Sequence, residues 1–116
     1  MTTQELLHAA KAACPQLAAL EEAEKNQAIF AMADALTADA AAILAANAQD
    51  LDAAQGHISD VMLDRLRLTQ ARIEAMADGM RQVAALPDPV GEVLAEVVRP
   101  NGLVIRKTAV PMGVVA

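Results

Sequence analysis

The feature that most restricts what this chain can become is a change in the period of its apolar residues across Pro87-Asp88-Pro89-Val90-Gly91. Before it, Ile73, Met76, Ala77, Met80, Val83 and Ala84 recur at helical spacing; after it, Val93, Ala95 and Val97 alternate with Leu94, Glu96 and Val98. A helical stripe turns one face to a core, whereas strict alternation divides a strand into two faces, so neither pattern can serve as the other. The prolines reinforce the change, because each lacks an amide donor and biases the residue before it away from helical backbone. The expected fold is therefore mostly α with a C-terminal β-hairpin: a helical region over residues 1–91 and a strand-like region over 92–116. With 116 residues the chain has the length of one domain.

The material for a core is unusual. Hydrophobic residues make up 55% of the chain but aromatics only 1%, so Ala, Leu, Val, Ile and Met must fill the interior. At about 25 cal/mol per Å² of apolar surface, an alanine-rich helix gains less from burial than a leucine-rich one, and modest stability is expected.

Leu6, Ala10, Ala13 and Leu17 share one face of a first helix starting near Thr3, with Glu5 in its first turn, where a negative charge suits the helix dipole. Pro15 predicts a kink or break near Cys14. Cys14 itself reads as a small buried apolar residue, because a nucleophile would want a nearby base or helix N-terminus and neither is visible in the sequence. Glu21, Glu22 and Glu24 open a second helix with Ile29, Met32, Ala33 and Leu36 as its core face and Phe30 alongside as the sole aromatic anchor. Thr37 is the expected N-cap of a third helix, with Asp39 in its first turn. Its apolar stripe is less clean: Ile43, Ala46 or Asn47, Asp50 and Ala54 lie on one side, Leu44 and Leu51 on another. Asn47 and Asp50 face either a ligand or solvent, and the solvated side is the favoured reading. Gly56 supplies the stop.

From Ser59 the local signals sharpen. Ser59 as N-cap places Ile58 and Leu63 at the positions of a hydrophobic staple, and Thr69 as N-cap does the same for Leu68 and Ile73. Gly79 inside the following helix costs roughly 1 kcal/mol relative to alanine, which predicts a close neighbour there. The methionines of that helix read as core filling. Beyond Gly91, Asn101-Gly102 between two alternating runs is a strong hairpin signal, and antiparallel strands are expected over about Glu92 to Arg99 and Leu103 to Val110. Val110-Pro111-Met112-Gly113-Val114-Val115-Ala116 is apolar on both alternating faces, as a buried parallel strand would be. Nothing later in the chain covers or pairs it, so the expectation is that the 116 residues are the front part of a longer α/β protein.

Several function classes lose support on composition. The net charge of −6 and the absence of Trp and Tyr argue against nucleic acid, which asks for clustered cations and stacking platforms. One cysteine allows no internal disulfide and suits a reducing, cytoplasmic setting. His8 and His57 lack the paired spacing of a zinc site, so no metal is expected. No apolar run reaches the length of a membrane span and no signal-peptide pattern opens the chain, so no membrane partner is expected.

One set of runs goes further. Glu24-Lys25-Asn26, Ala46-Asn47-Ala48-Gln49-Asp50, Met62-Leu63-Asp64-Arg65-Leu66 with Leu68-Thr69 and Arg72, Arg81-Gln82-Val83, Asp88-Pro89-Val90-Gly91 and Val110-Pro111-Met112-Gly113-Val114 stand in this order along nearly the whole chain. In that order and spacing they resemble the N-terminal region of the gamma-glutamyl phosphate reductase family, the glutamate-5-semialdehyde dehydrogenases of the aldehyde dehydrogenase superfamily. Pro15 departs from a helix that runs through in the family.

The resemblance implies the N-terminal part of an α/β aldehyde dehydrogenase-like fold, with residues 1–91 helical and 92–116 forming a hairpin and the first strand of a doubly wound cofactor domain. It implies a parent enzyme, a homo-oligomer, that uses NADPH to reduce gamma-glutamyl phosphate to glutamate-5-semialdehyde, with release of phosphate, in proline biosynthesis. A cysteine thiolate carries the acyl group there, splitting one hard step into two. That cysteine belongs to a later domain and Cys14 does not match it. No catalytic, cofactor-binding or metal-binding residue is therefore expected in this chain, which alone would be inactive and either self-associated or loose at its C-terminal end. The competing reading is a self-contained helical interaction module that grips a partner with the Met- and Leu-bearing face of Ile73 to Leu86.

Overall fold

The structure is a computed structural model that describes residues 2–115. Its elements follow the order α1 Thr3–Ala19, α2 Glu22–Ala38, α3 Ala40–Ala54, α4 Asp60–Leu66, α5 Gln70–Ala84, β1 Val93–Val98 and β2 Val104–Thr108. Helices followed by one antiparallel hairpin are what the change of period at residues 87–91 requires. Two compact units divide the chain, one formed by Ala23–Leu86 and the other by the flanking stretches up to Glu22 and from Pro87 onward.

In the Ala23–Leu86 unit, α3 packs against α4 and α5. The buried apolar residues are Ala33, Ala40, Ile73, Ala77 and Ala84, and Ile73 is the largest side chain fully withdrawn from solvent. This is a core of small residues. Arg81 ties α5 to α2 through Asp34 at 2.8 Å and pairs within its own helix with Asp78 at 3.0 Å. The Asp34 carboxylate, seconded by Asp78, holds the Arg81 guanidinium above its ordinary pKa. The carboxylates are solvent-facing, so water screens both pairs and neither adds much to stability.

The helix ends bear out most local signals. Ser59 Oγ accepts from the Met62 amide at 3.4 Å and Thr69 Oγ1 from the Arg72 amide at 3.2 Å. Gly56 takes φ +79 just beyond α3, a conformation that side-chain-bearing residues rarely adopt. Thr37 does not cap α3. It lies in the last turn of α2, where its hydroxyl donates to the carbonyls of Asp34 at 2.9 Å and Ala33 at 3.3 Å, and Asp39 takes the N-cap position without a side-chain bond. Thr37 lost the cap because bonding back to its own helix satisfies the hydroxyl one residue pair too early. Phe30 and Met32 are also not core residues: they remain 43% and 53% exposed, and α2 buries Ala33 instead. Gly79 has nothing within 4 Å of the position a Cβ would take, so no close neighbour explains it.

In the other unit, Thr2 and Glu5 form a capping box at the start of α1: the Thr2 amide donates to Glu5 Oε2 at 2.7 Å and the Glu5 amide to Thr2 Oγ1 at 3.3 Å. No break occurs at Cys14; α1 runs from Thr3 to Ala19 with Pro15 inside it. The missing donor leaves only the Lys11 carbonyl without its usual partner, and around it the helix is solvent-facing, so water can serve there.

The hairpin pairs Val98 with Val104, Val97 with Ile105 and Glu96 with Arg106, and a register shift between Val93 and Ala95 marks a bulge. Arg106 Nε meets Glu96 Oε2 at 2.6 Å, a charge pair directly across the ladder. The tip occupies the residues left between the two expected strands. Asn101 keeps a negative φ and Gly102 takes φ +83, while Gly102 N–H donates to the Arg99 carbonyl and Arg99 N–H to that of Leu103, both at 2.9 Å. The loop is thus Pro100-Asn101-Gly102, and the proline in front favours this form because its fixed φ suits the first corner of a turn. Residues 110–115 form no strand, contrary to expectation, since no described strand lies beside them to complete a ladder, and Ala116 is outside the described residues. Val110, Met112 and Val115 are 76%, 93% and 78% exposed.

Candidate functional site

The most organised polar arrangement lies where α4 turns into α5. A seven-residue helix such as α4 is too short to persist by itself, and its last carbonyls need partners from elsewhere. Two side chains supply them. Asn47, on α3 and only 7% exposed, donates from Nδ2 to the Leu66 carbonyl at 2.9 Å and accepts at Oδ1 from the Leu68 amide at 2.8 Å. Its amide thereby pairs with the backbone on both sides of Arg67 as another peptide group would. Arg72, on α5, donates from Nη1 to the carbonyls of Asp64 and, at 2.6 Å, Arg67. Its Nη2 meets the Asp64 carboxylate at 3.1 Å. Asp64, Leu66, Leu68 and Arg72 all belong to the MLDRL-x-LT-x-x-R run, so the spacing of that run is the spacing of this corner.

Open grooves flank the corner. One of about 220 Å³ is lined by Ala48, Leu51, Asp52, Gln55, Leu63 and Arg67; the other, of about 410 Å³, is bounded by Asp64, Arg65, Arg67, Leu68, Arg72, Ala75 and Met76. Neither is lined by a histidine, cysteine, serine or threonine, so neither sets a nucleophile beside a base. What the arrangement can do is hold backbone: it fixes the direction in which α5 leaves α4.

The residues weighed from sequence fall elsewhere. His8 is exposed on α1, and Cys14 on the same helix is half-buried rather than buried, because α1 buries none of its residues, and it directs its thiol to the Ala10 carbonyl at 3.5 Å. His57 sits in the turn after α3 with Nδ1 3.2 Å from the Gln55 carbonyl. Among the described residues no group of His, Cys, Asp and Glu could hold a metal ion, and no single helix is long and apolar enough to cross a membrane. Asp50 is exposed, but Asn47 is neither ligand-facing nor solvated. A signal was available: Ala40, Ile43, Asn47, Leu51 and Ala54 recur at 3, 4, 4, 3 spacing, which sets Asn47 in an apolar stripe, and a buried amide must find partners. On the Met- and Leu-bearing face considered for gripping a partner, Met76 and Leu86 are exposed, while Ile73, Ala77 and Ala84 of α5 are buried.

The fold of the chain has counterparts among proteins of known structure. The fold matches that of a gamma-glutamyl phosphate reductase from Thermotoga maritima with a TM-score of 0.88 at 35% identity, over 93% of this chain and 26% of that one. The chain is similar to gamma-glutamyl phosphate reductases. A second solved structure under that name, from Saccharomyces cerevisiae, gives a TM-score of 0.83 at 32% identity over 96% of this chain and 29% of the other. By sequence, the gamma-glutamyl phosphate reductase of a Neisseria meningitidis serogroup A strain is 58% identical over 113 residues, and that of a Streptococcus pneumoniae strain 54% over 115. These alignments take in 97% and 99% of this chain but 27% of each relative, so the chain spans about a quarter of the length of the curated relatives it matches. No protein-family model matches it.

Proposed function

We propose that this chain is the N-terminal part of a cytoplasmic, homo-oligomeric gamma-glutamyl phosphate reductase of the aldehyde dehydrogenase superfamily, the NADPH-dependent enzyme that makes glutamate-5-semialdehyde for proline biosynthesis. The single observation that carries the reading is the joint match in sequence and fold over nearly the whole chain, at 58% identity and a TM-score of 0.88 in separate comparisons. In this reading residues 1–91 are a helical scaffold and 92–116 the hairpin and first strand of the nucleotide-binding domain, with partner strands contributed by the rest of the parent.

The chemistry resides outside this chain. A dinucleotide cradle needs a parallel strand running into a glycine-rich turn and a helix N-terminus. Here the glycines stand singly at 56, 79, 91, 102 and 113, and the described strands form one antiparallel hairpin, so the residues present do not fit NADPH. Cys14, on a helix whose neighbouring side chains offer no base, does not fit the acyl-carrying thiolate either. The contribution of this chain is positional: the Asn47 and Arg72 bonds set α5, and α5 leads through Pro87 and Pro89 into the hairpin. The test is to extend the reading frame past codon 116 and assay the longer product. Conversion of gamma-glutamyl phosphate with matched loss of NADPH supports the reading; a stop codon directly after Ala116 or a longer product without that activity contradicts it.

A further inference from the structure

We propose that Asn101 is a modification site, a centre of spontaneous deamidation at the tip of the hairpin where the Gly102 backbone nitrogen displaces ammonia from the asparagine side chain. In this step the Gly102 amide gives its proton to solvent base and its nitrogen bonds to Asn101 Cγ. The Cγ–Nδ2 bond then breaks, and the leaving nitrogen takes protons from water and departs as ammonia, leaving a cyclic succinimide. Water adds to one of the two ring carbonyls and the ring C–N bond there breaks, giving aspartate or isoaspartate. The balance is amide plus water to acid plus ammonia, with nothing oxidised or reduced.

The structure separates Asn101 from the other asparagines of the chain, Asn26 and Asn47. Asn26 and Asn47 lie inside α2 and α3, are followed by Gln27 and Ala48, and sit in helical backbone whose amides are engaged in the ladder. Asn47 also has both ends of its side-chain amide bonded to the main chain. Asn101 is exposed and is followed by a glycine, which carries no side chain of its own to hinder the approach of its nitrogen. The Leu103 amide donates to Asn101 Oδ1 at 3.2 Å, so the oxygen that gathers charge in the tetrahedral intermediate already faces a donor. One bond opposes the reaction: Gly102 N–H is held by the Arg99 carbonyl at 2.9 Å. The hairpin that carries this turn is a two-stranded sheet exposed along its length, and such ladders open readily. Conversion takes the net charge from −6 to −7, one amide becoming one carboxylate, and isoaspartate lengthens the backbone at the tip that sets the strand register.

The test is peptide mapping by mass spectrometry after incubating the chain in mildly alkaline buffer, native and in denaturant, beside a Gly102→Ala chain. The expected result is conversion at Asn101 while Asn26 and Asn47 in the native chain remain amides, faster conversion in denaturant, and loss of most Asn101 conversion in denatured Gly102→Ala, where folding plays no part. Equal conversion at the three asparagines, conversion at Asn101 only in denaturant, or an unchanged rate in denatured Gly102→Ala overturns the proposal.

Discussion

At the scale of single residues, Asn47 holds backbone on both sides of Arg67. Replacing Asn47 with alanine strands the half-buried Leu66 carbonyl and Leu68 amide together, and each orphaned backbone group costs about 1–3 kcal/mol. Asn47→Ala should therefore lower stability by roughly 2–4 kcal/mol in a denaturant titration, with the amide-exchange protection of 60–68 falling first. Loss confined to α3, with 60–68 still protected, would contradict the role given to the side-chain amide. Glu5 makes a second residue-scale case. Its bond from the Thr2 backbone amide, and next that with the Thr2 hydroxyl, hold its carboxyl below the usual range. A depressed folded pKa adds stability above the unfolded value that is lost as pH falls through the folded value. The first turn of α1 should thus fray below the ordinary carboxylate range, seen as amide chemical-shift changes at Thr2–Leu6, and Glu5→Gln should remove that pH dependence.

At the scale of elements, the lesson concerns what competes with a local rule. The caps at Ser59 and Thr69, the stop at Gly56 and the hairpin were legible because each depends on residues within one turn of the chain. Pro15 does not break α1 because the penalty for an interior proline is set against the whole of a 17-residue helix with a capping box at its start. Pro15→Ala should consequently stabilise α1 by up to about 3 kcal/mol, read as a gain in helical circular dichroism and a higher Tm. The absence of any gain would mean that the proline ring makes contacts that offset its lost donor. Asn47 escaped the sequence reading because its partners lie 19 and 21 residues away, beyond any local pattern. Phe30 and Met32 escaped it because size and apolarity do not say which residue of a helix meets a neighbour, and the small Ala33 does.

At the scale of the whole molecule, a set of apolar residues in the hairpin and the run after it has little cover: Val98, Leu103, Val110, Met112 and Val115 are all more than half exposed. Surface of that kind is where a larger protein joins its parts or where a separated piece associates with itself. Sedimentation of the isolated chain should show self-association, or hydrogen exchange should show residues 92–115 poorly protected; a compact monomer with that segment well protected is the contrary result. The central claim is that these residues are a scaffold for chemistry carried elsewhere in the parent. It is tested most directly by titrating NADPH into the purified 116-residue chain and following cofactor fluorescence, then absorbance after adding gamma-glutamyl phosphate. The account predicts no saturable fluorescence change and no substrate-dependent loss of NADPH; saturable binding, or turnover by the chain alone, would contradict it.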